Sequence, residues 1–297
     1  MSWDISSLLA KAFTLMALAG VVGGIFCLFL TTQSGLEIRR HLLGYIKAGA
    51  FIGIFASSLF FFVQVGAINQ SGLSGMLDKT MISILAQSGL GFAALYRFIA
   101  FFMILSLAIY KTRLSRKNEL TFGNFSLLIF SVAILLLAYS FSLIGHVAEL
   151  SWLAATAIGF HILAISLWLG SLYPLWYLCK QEELIRLRKL MQRFGELAMI
   201  FVGVLIISGV YLVMQLLESP LELVSTAYGL TLLLKLTGVL ALLFMGALNK
   251  LRLVPELTDE KGIKHLQRSI TLEIALAFIV LLITAYLTTL VGLSHSS

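Results

Sequence analysis

The chain has 297 residues, 60% of them hydrophobic and 12% charged, with a mean hydropathy of +1.00 and a formal net charge of +7. A soluble domain runs about 45–50% apolar and about 25% charged, so a chain of this size could not cover its apolar surface in water. That excludes a cytosolic enzyme, a nucleic-acid module and a disordered chain. Cys27 and Cys179 are its only cysteines, so no disulfide scaffold is implied. The start, Met1-Ser2-Trp3-Asp4, lacks a basic leader, and no cleavable signal peptide is expected.

Eight apolar runs follow in chain order, at 8–32, 42–68, 90–110, 122–145, 152–178, 194–217, 225–248 and 268–293. Runs of about 20 apolar residues predict membrane-spanning helices. They are continuous rather than alternating, which favours helices over a barrel. The expected fold is an all-α polytopic membrane protein with eight transmembrane helices. Met76–Gly89, ahead of the third run, reads as an interfacial helix.

The connections alternate in charge. The first carries Arg39, Arg40 and Lys47, and the third Lys111, Arg113, Arg116 and Lys117. The fifth carries Lys180, Arg186, Arg188, Lys189 and Arg193, and the seventh Lys250, Arg252, Lys261, Lys264 and Arg268. Together they hold seventeen of the 21 basic residues, against Lys11 and Lys79 on the opposite side. The positive-inside rule then makes the odd connections cytoplasmic and sends both termini outward. The basic balance reflects topology and implies no nucleic-acid partner. Membrane lipid is the expected surrounding.

Spans three and seven share a pattern. Leu90-Gly91 precedes Arg97 as Tyr228-Gly229 precedes Lys235, with the base six residues after the glycine in each. Spans one and five align with Gly23 opposite Gly170. A four-plus-four parallel tandem repeat is suggested within a single membrane domain, with halves at 1–150 and 151–297. An even helix number gives both halves one orientation.

Ionisable groups inside the spans are the most informative residues, because a charge near the bilayer centre costs about 2.5–3.5 kcal/mol on insertion scales. Arg97 is expected roughly 10 Å below the outer end of its span, Lys235 roughly 15 Å and His161 roughly 13 Å, at 1.5 Å per residue. The acids do not match these depths: Glu196 and Glu273 enter from the cytoplasmic side, and Asp78, Glu149, Glu218 and Glu222 lie at the mouth. Arg97 and Lys235 could snorkel outward. Alternatively they line a polar outer cavity, with Tyr228 on the face of Lys235 and Trp168 on the face of His161. His161 reads either as a hydrogen-bonded core histidine or as a ligand. His146 and Glu149 close span four, in an ordinary loop or on one helical face. Met214 lies near the outer end of span six. Imidazole and thioether together suit Cu(I). Cys27 and Cys179 fit small packing residues better than ligands. No phosphate loop, paired carboxylates or nucleophilic triad is visible, so no enzymatic role and no nucleotide are expected, and transport would run downhill or on a gradient.

From span five onward the sequence resembles the bacterial copper-resistance D family of inner-membrane proteins. The residues that carry the likeness are His161-Ile162-Leu163-Ala164, Leu167-Trp168-Leu169-Gly170, Pro174, Arg193-Phe194, Ser208-Gly209, Tyr228-Gly229, Lys235, Asn249 and Pro255. Gly91 and Arg97 resemble the first-half equivalent, and the similarity is strongest from about 152 to 255. The resemblance implies copper movement across the bacterial inner membrane, usually inward and with a small periplasmic copper-binding protein as partner. Copper, as Cu(I), would meet His146, Glu149 and Met214 at the mouth and His161 partway down. Arg97, Lys235, Tyr228 and Trp168 would shape the cavity. Two other readings stand beside this one. A haem-bearing electron-transfer subunit would use His146 and His161 as axial ligands, although their depths differ. A non-catalytic assembly protein would use none of these groups.

Overall fold

The computed structural model describes residues 2–115, 122–145, 151–217 and 219–291. These residues are overwhelmingly helical, with no strand among them. The helices are α1 (Ser2–Leu30), α2 (Leu36–Asn69), α3 (Lys79–Ala86), α4 (Gly89–Ser115), α5 (Asn124–Tyr139), α6 (Trp152–Leu169), α7 (Leu172–Gln181), α8 (Leu184–Leu216), α9 (Glu222–Ser225), α10 (Ala227–Leu248) and α11 (Glu260–Tyr286). Seven helical segments among the described residues are long and apolar enough to cross a membrane, α6 and α7 together forming one of them. The protein is therefore a multi-pass membrane protein.

The run expected at 122–145 is the exception. Its helix, α5, has 16 residues and falls short of the other seven. The reason is local. Beyond Tyr139 the hydroxyls of Ser140 and Ser142 donate to the carbonyls of Leu137 and Tyr139, which gives the last acceptors a partner outside the helical ladder. Gly145 then adopts a φ of +77°. Other helices run past their apolar segments. At 34 and 33 residues, α2 and α8 are each about 50 Å long, well beyond a hydrocarbon core of about 30 Å. Arg39, Arg40, Arg186, Arg188, Lys189 and Arg193 therefore stand on helices, not in loops. Hydropathy falls where charge begins, but Arg and Lys are good helix formers, so the ladder continues. Between 73 and 89 lie a single 3₁₀ turn, Leu73–Leu77, and α3.

Side-chain caps start several helices. Asp78, Ser151, Thr226 and Asp259 accept the amides of Met81, Ala154, Gly229 and Gly262. α1 is the most buried span and stands at the centre. It packs along α2 and touches α6, α7 and α11; α2 continues against α4, α6 against α8, and α10 against α11.

The contact of α1 with the α6–α7 junction is made by backbone. A Cβ on Gly23 would strike the main chain of Gly170, and one on Gly170 would strike the carbonyl of Ala19. The junction is a consequence of Pro174, which has no amide to give the carbonyl of Gly170 four residues earlier. Tyr45 donates its hydroxyl to that carbonyl at 3.2 Å instead. Nearby, the His41 ring stacks on Tyr177 with centroids 3.6 Å apart, and its Nε2 lies 2.9 Å from the Tyr173 hydroxyl.

That stack ties α2 to α7 at the basic end. Arg40 holds Ser115 through the hydroxyl and carbonyl, and Arg188 donates to the carbonyl of Pro255 at 2.9 Å. These bonds gather the described parts of all four basic connections at one end of the bundle.

Candidate functional site

Arg97 stands on α4, eight residues beyond Gly89, and Lys235 stands on α10, eight residues beyond Ala227. At 1.5 Å per residue each is about 12 Å from the start of its helix. The glycines before them also correspond. A Cβ on Gly91 would strike the backbone of Ala86 at the end of α3, and one on Gly229 would strike Glu222 and Leu223 in α9. In each case a short helix is pressed against the start of the long one.

Arg97 is 5% exposed. Its Nε donates to Ser140 Oγ at 2.9 Å, and its guanidinium lies 4.2 Å from the centroid of Phe141. Ser140 donates its own hydroxyl hydrogen to the carbonyl of Leu137, which leaves an oxygen lone pair aimed at Arg97. The end of α5 thus becomes a cradle for one cation, held by a hydrogen bond and an aromatic face. Lys11 interacts electrostatically with Arg97 and donates to the carbonyl of Thr288 at 2.9 Å. Replacing Arg97 by Lys keeps the charge but loses the flat, directional donor. A loss of about 1–3 kcal/mol is expected, read as a lower melting temperature of protein in lipid nanodiscs. A melt unchanged from wild type would refute the cradle.

His161 sits on α6 facing α8. Its Nδ1 is 3.2 Å from Ser208 Oγ, and the ring also meets the carbonyl of Leu205. Ser208 donates to the carbonyl of Val204 at 2.6 Å, so its proton is already committed. A hydroxyl with a committed proton and a carbonyl both accept, so Nδ1 carries the hydrogen and Nε2 carries the lone pair. Gly209 makes room for the ring: a Cβ there would lie 3.2 Å from His161 Cε1. Lys235 interacts electrostatically with His161. An imidazole whose second nitrogen is fixed by a partner is the arrangement expected of a metal-ligating histidine.

The remaining expected site residues do not all gather here. Met214 is 72% exposed. It lies six residues beyond Ser208 on α8, about 120° round the helix from the face that meets His161. Tyr228 is half-buried near the start of α10. Trp168 is buried, but it faces Gly246 and a cleft toward the basic end, and none of Arg97, His161, Lys235 or Tyr228 lines that cleft. His146 and Glu149 lie outside the described residues. Among the described residues no three His, Cys, Asp or Glu side chains cluster as a metal site. Cys27 and Cys179 are buried and unbridged.

The cleft holds a pair that hydropathy and spacing leave without a role. Glu273 on α11 is 3% exposed, and its Oε1 accepts from Asn249 Nδ2 at 3.1 Å. Asn249 is buried too, and its Oδ1 has no partner among the described residues. Leaving such an acceptor unsatisfied costs about 1–3 kcal/mol. Asn249 stands where α10 passes into a π-helical turn, Asn249–Leu253. Turns of that kind are frequent at functional positions. Glu273 is legible as an acid five residues inside an apolar run and Asn249 as part of the family likeness, but their pairing across 24 residues is set only by the fold.

Fold and site define a polytopic α-helical membrane protein with isolated ionisable groups inside its bundle. Residues 188–287 match the family model CopD, copper resistance protein D, and over this segment the resemblance to the copper-resistance D family is borne out. The matched segment supports a copper-resistance membrane protein. It begins within α8, after the His161–Pro174 motif, and runs beyond 255 into α11, so it contains Ser208, Lys235, Asn249 and Glu273. No curated protein and no solved structure matches the chain.

Proposed function

We propose that this protein carries copper across the bacterial inner membrane, with His161 offering Nε2 to Cu(I) on the way. The observation that supports this most is the hydrogen-bonded Nδ1, held by Ser208, which leaves a neutral imidazole nitrogen free to coordinate a soft metal inside an apolar bundle. Ser208 lies in the segment that matches the copper-resistance family. His146 and Glu149 would supply ligands above His161, and a periplasmic copper-binding protein would deliver the ion. Lys235 lowers the affinity of the site for a second positive charge, which suits an ion that must pass on rather than stay. Copper accumulation in cells expressing wild type or His161→Ala tests the reading. The variant should fall to the level of cells without the protein, and accumulation equal to wild type would overturn the ligand role.

The same reading takes residues 1–150 and 151–297 as two copies related by an axis along the membrane normal. Equivalent residues can meet only on such an axis, and the contact of Gly23 with Gly170 supports that placement. The basic end would face the cytoplasm and the termini the periplasm. Single cysteines placed in a chain lacking Cys27 and Cys179 check the orientation. One at exposed Leu73 should react with an impermeant maleimide on intact cells, and one at exposed Lys261 only after lysis. The opposite pattern would invert the protein.

A further inference from the structure

In the second half of the bundle two helices stand apart. α2 packs along α4, but the corresponding α8 and α10 barely touch. Between them lies a cleft of about 370 Å³, within the size range of small-molecule sites. Leu172, Leu175, Val202 and Leu243 are among its apolar walls. Met199 and Leu251 at its rim are exposed, so it opens sideways toward lipid.

Two polar side chains on the floor of this cleft, Glu273 and Asn249, offer hydrogen-bonding groups to a ligand. Among the described residues Glu273 has a single hydrogen bond, from Asn249, and no Lys, Arg or His pairs with it. Asn249 is 9% exposed and its Oδ1 is unpartnered among the described residues. A ligand that satisfies the Asn249 oxygen must bring its own donor. A cationic head would meet Lys250, which lines the same cleft with its stem laid over Gly195. A neutral hydroxyl avoids that repulsion, because it can donate to Glu273 or Asn249. Trp168 adds an aromatic surface beside the carboxyl group.

We infer that the cleft between α8 and α10 binds a membrane-soluble organic molecule with a neutral hydroxyl head, entering sideways from the bilayer. This site is separate from His161 and does not rest on the copper reading. A hydroquinone and a simple long-chain alcohol share the required chemistry. The experiment compares three radiolabelled probes on purified full-length protein in nanodiscs, corrected for empty discs: decylhydroquinone, n-decanol and the dimethyl ether of decylhydroquinone. Saturable binding near one molecule per chain is expected for a hydroxyl-bearing probe, and the tighter of the two identifies the source. The dimethyl ether should bind at least ten-fold more weakly. Glu273→Leu should weaken binding about ten-fold. Gly246→Leu, whose Cβ finds only ordinary contacts 3.5 Å from Trp168, should fill the cleft and abolish binding without lowering the melting temperature. Equal binding of the dimethyl ether would overturn the inference. So would full binding to Gly246→Leu that melts like wild type.

Discussion

Replacing Gly170 by Val is expected to leave little folded protein. At most helical glycines a new side chain meets other side chains, which can rotate away. At Gly170 it meets the carbonyl of Ala19, and at Gly23 the main chain of Gly170, so two backbones would have to part. Overpacking a core costs about 1–3 kcal/mol where side chains can adjust, and this site belongs at or above the upper end. The loss would spread, because α1 is the central helix and the same junction receives the hydroxyl of Tyr45. Gly203 supplies the contrast. It sits inside α8, and a methyl group added there would meet nothing within 4 Å, so Gly203→Ala should be neutral or gain about 0.5–1 kcal/mol from lower chain entropy. Size-exclusion recovery and thermal melts of the two variants side by side check this. A wild-type melt for Gly170→Val would mean that α1 and the α6–α7 junction do not touch.

The spans, their basic end and the family likeness are legible in the sequence because each rests on a local or summed property. Twenty apolar residues read as a helix whatever their neighbours, and charge counted over connections needs no contacts. The ends of helices are harder. α5 stops short because three residues after Leu137 a serine turns back onto its carbonyl, and hydropathy does not register a hydroxyl. Convergence is harder still. Arg97, Lys235 and His161 stand at similar offsets from their helix starts, but an offset does not say which way a side chain turns. Arg97 meets Ser140 and Phe141, while His161 meets Ser208, so the groups occupy separate places. Trp168 has the right spacing from His161 for one face, yet α6 meets α8 near His161 and approaches Gly246 of α10 lower down. His41 with Tyr45, and Tyr173 with Tyr177, each stand four residues apart, a signal that was available. Their pairing across α2 and α7 is set only by the fold.

Ser208→Ala should separate positioning from ligation at His161. Removing the hydroxyl takes away the acceptor that fixes Nδ1–H on the α8 side, while Nε2 and the ring remain. Loss of a hydrogen-bond partner behind a ligating histidine typically costs 10–100-fold in metal affinity. The Leu205 carbonyl still faces the ring, so the lower end, about ten-fold, is expected for Cu(I) affinity in purified protein. His161→Ala should abolish the same binding, and Ser208→Thr, which restores a hydroxyl, should recover most of it. A structural role for Ser208 predicts something else: Ser208 is buried and returns its proton to Val204, so Ala there would shift the melt without changing the metal. Affinity and melting temperature measured on the same samples therefore decide between the two. A Ser208→Ala protein that melts like wild type and binds Cu(I) ten-fold more weakly assigns Ser208 to positioning the imidazole. One that binds with wild-type affinity leaves His161 oriented by the Leu205 carbonyl and packing, without Ser208.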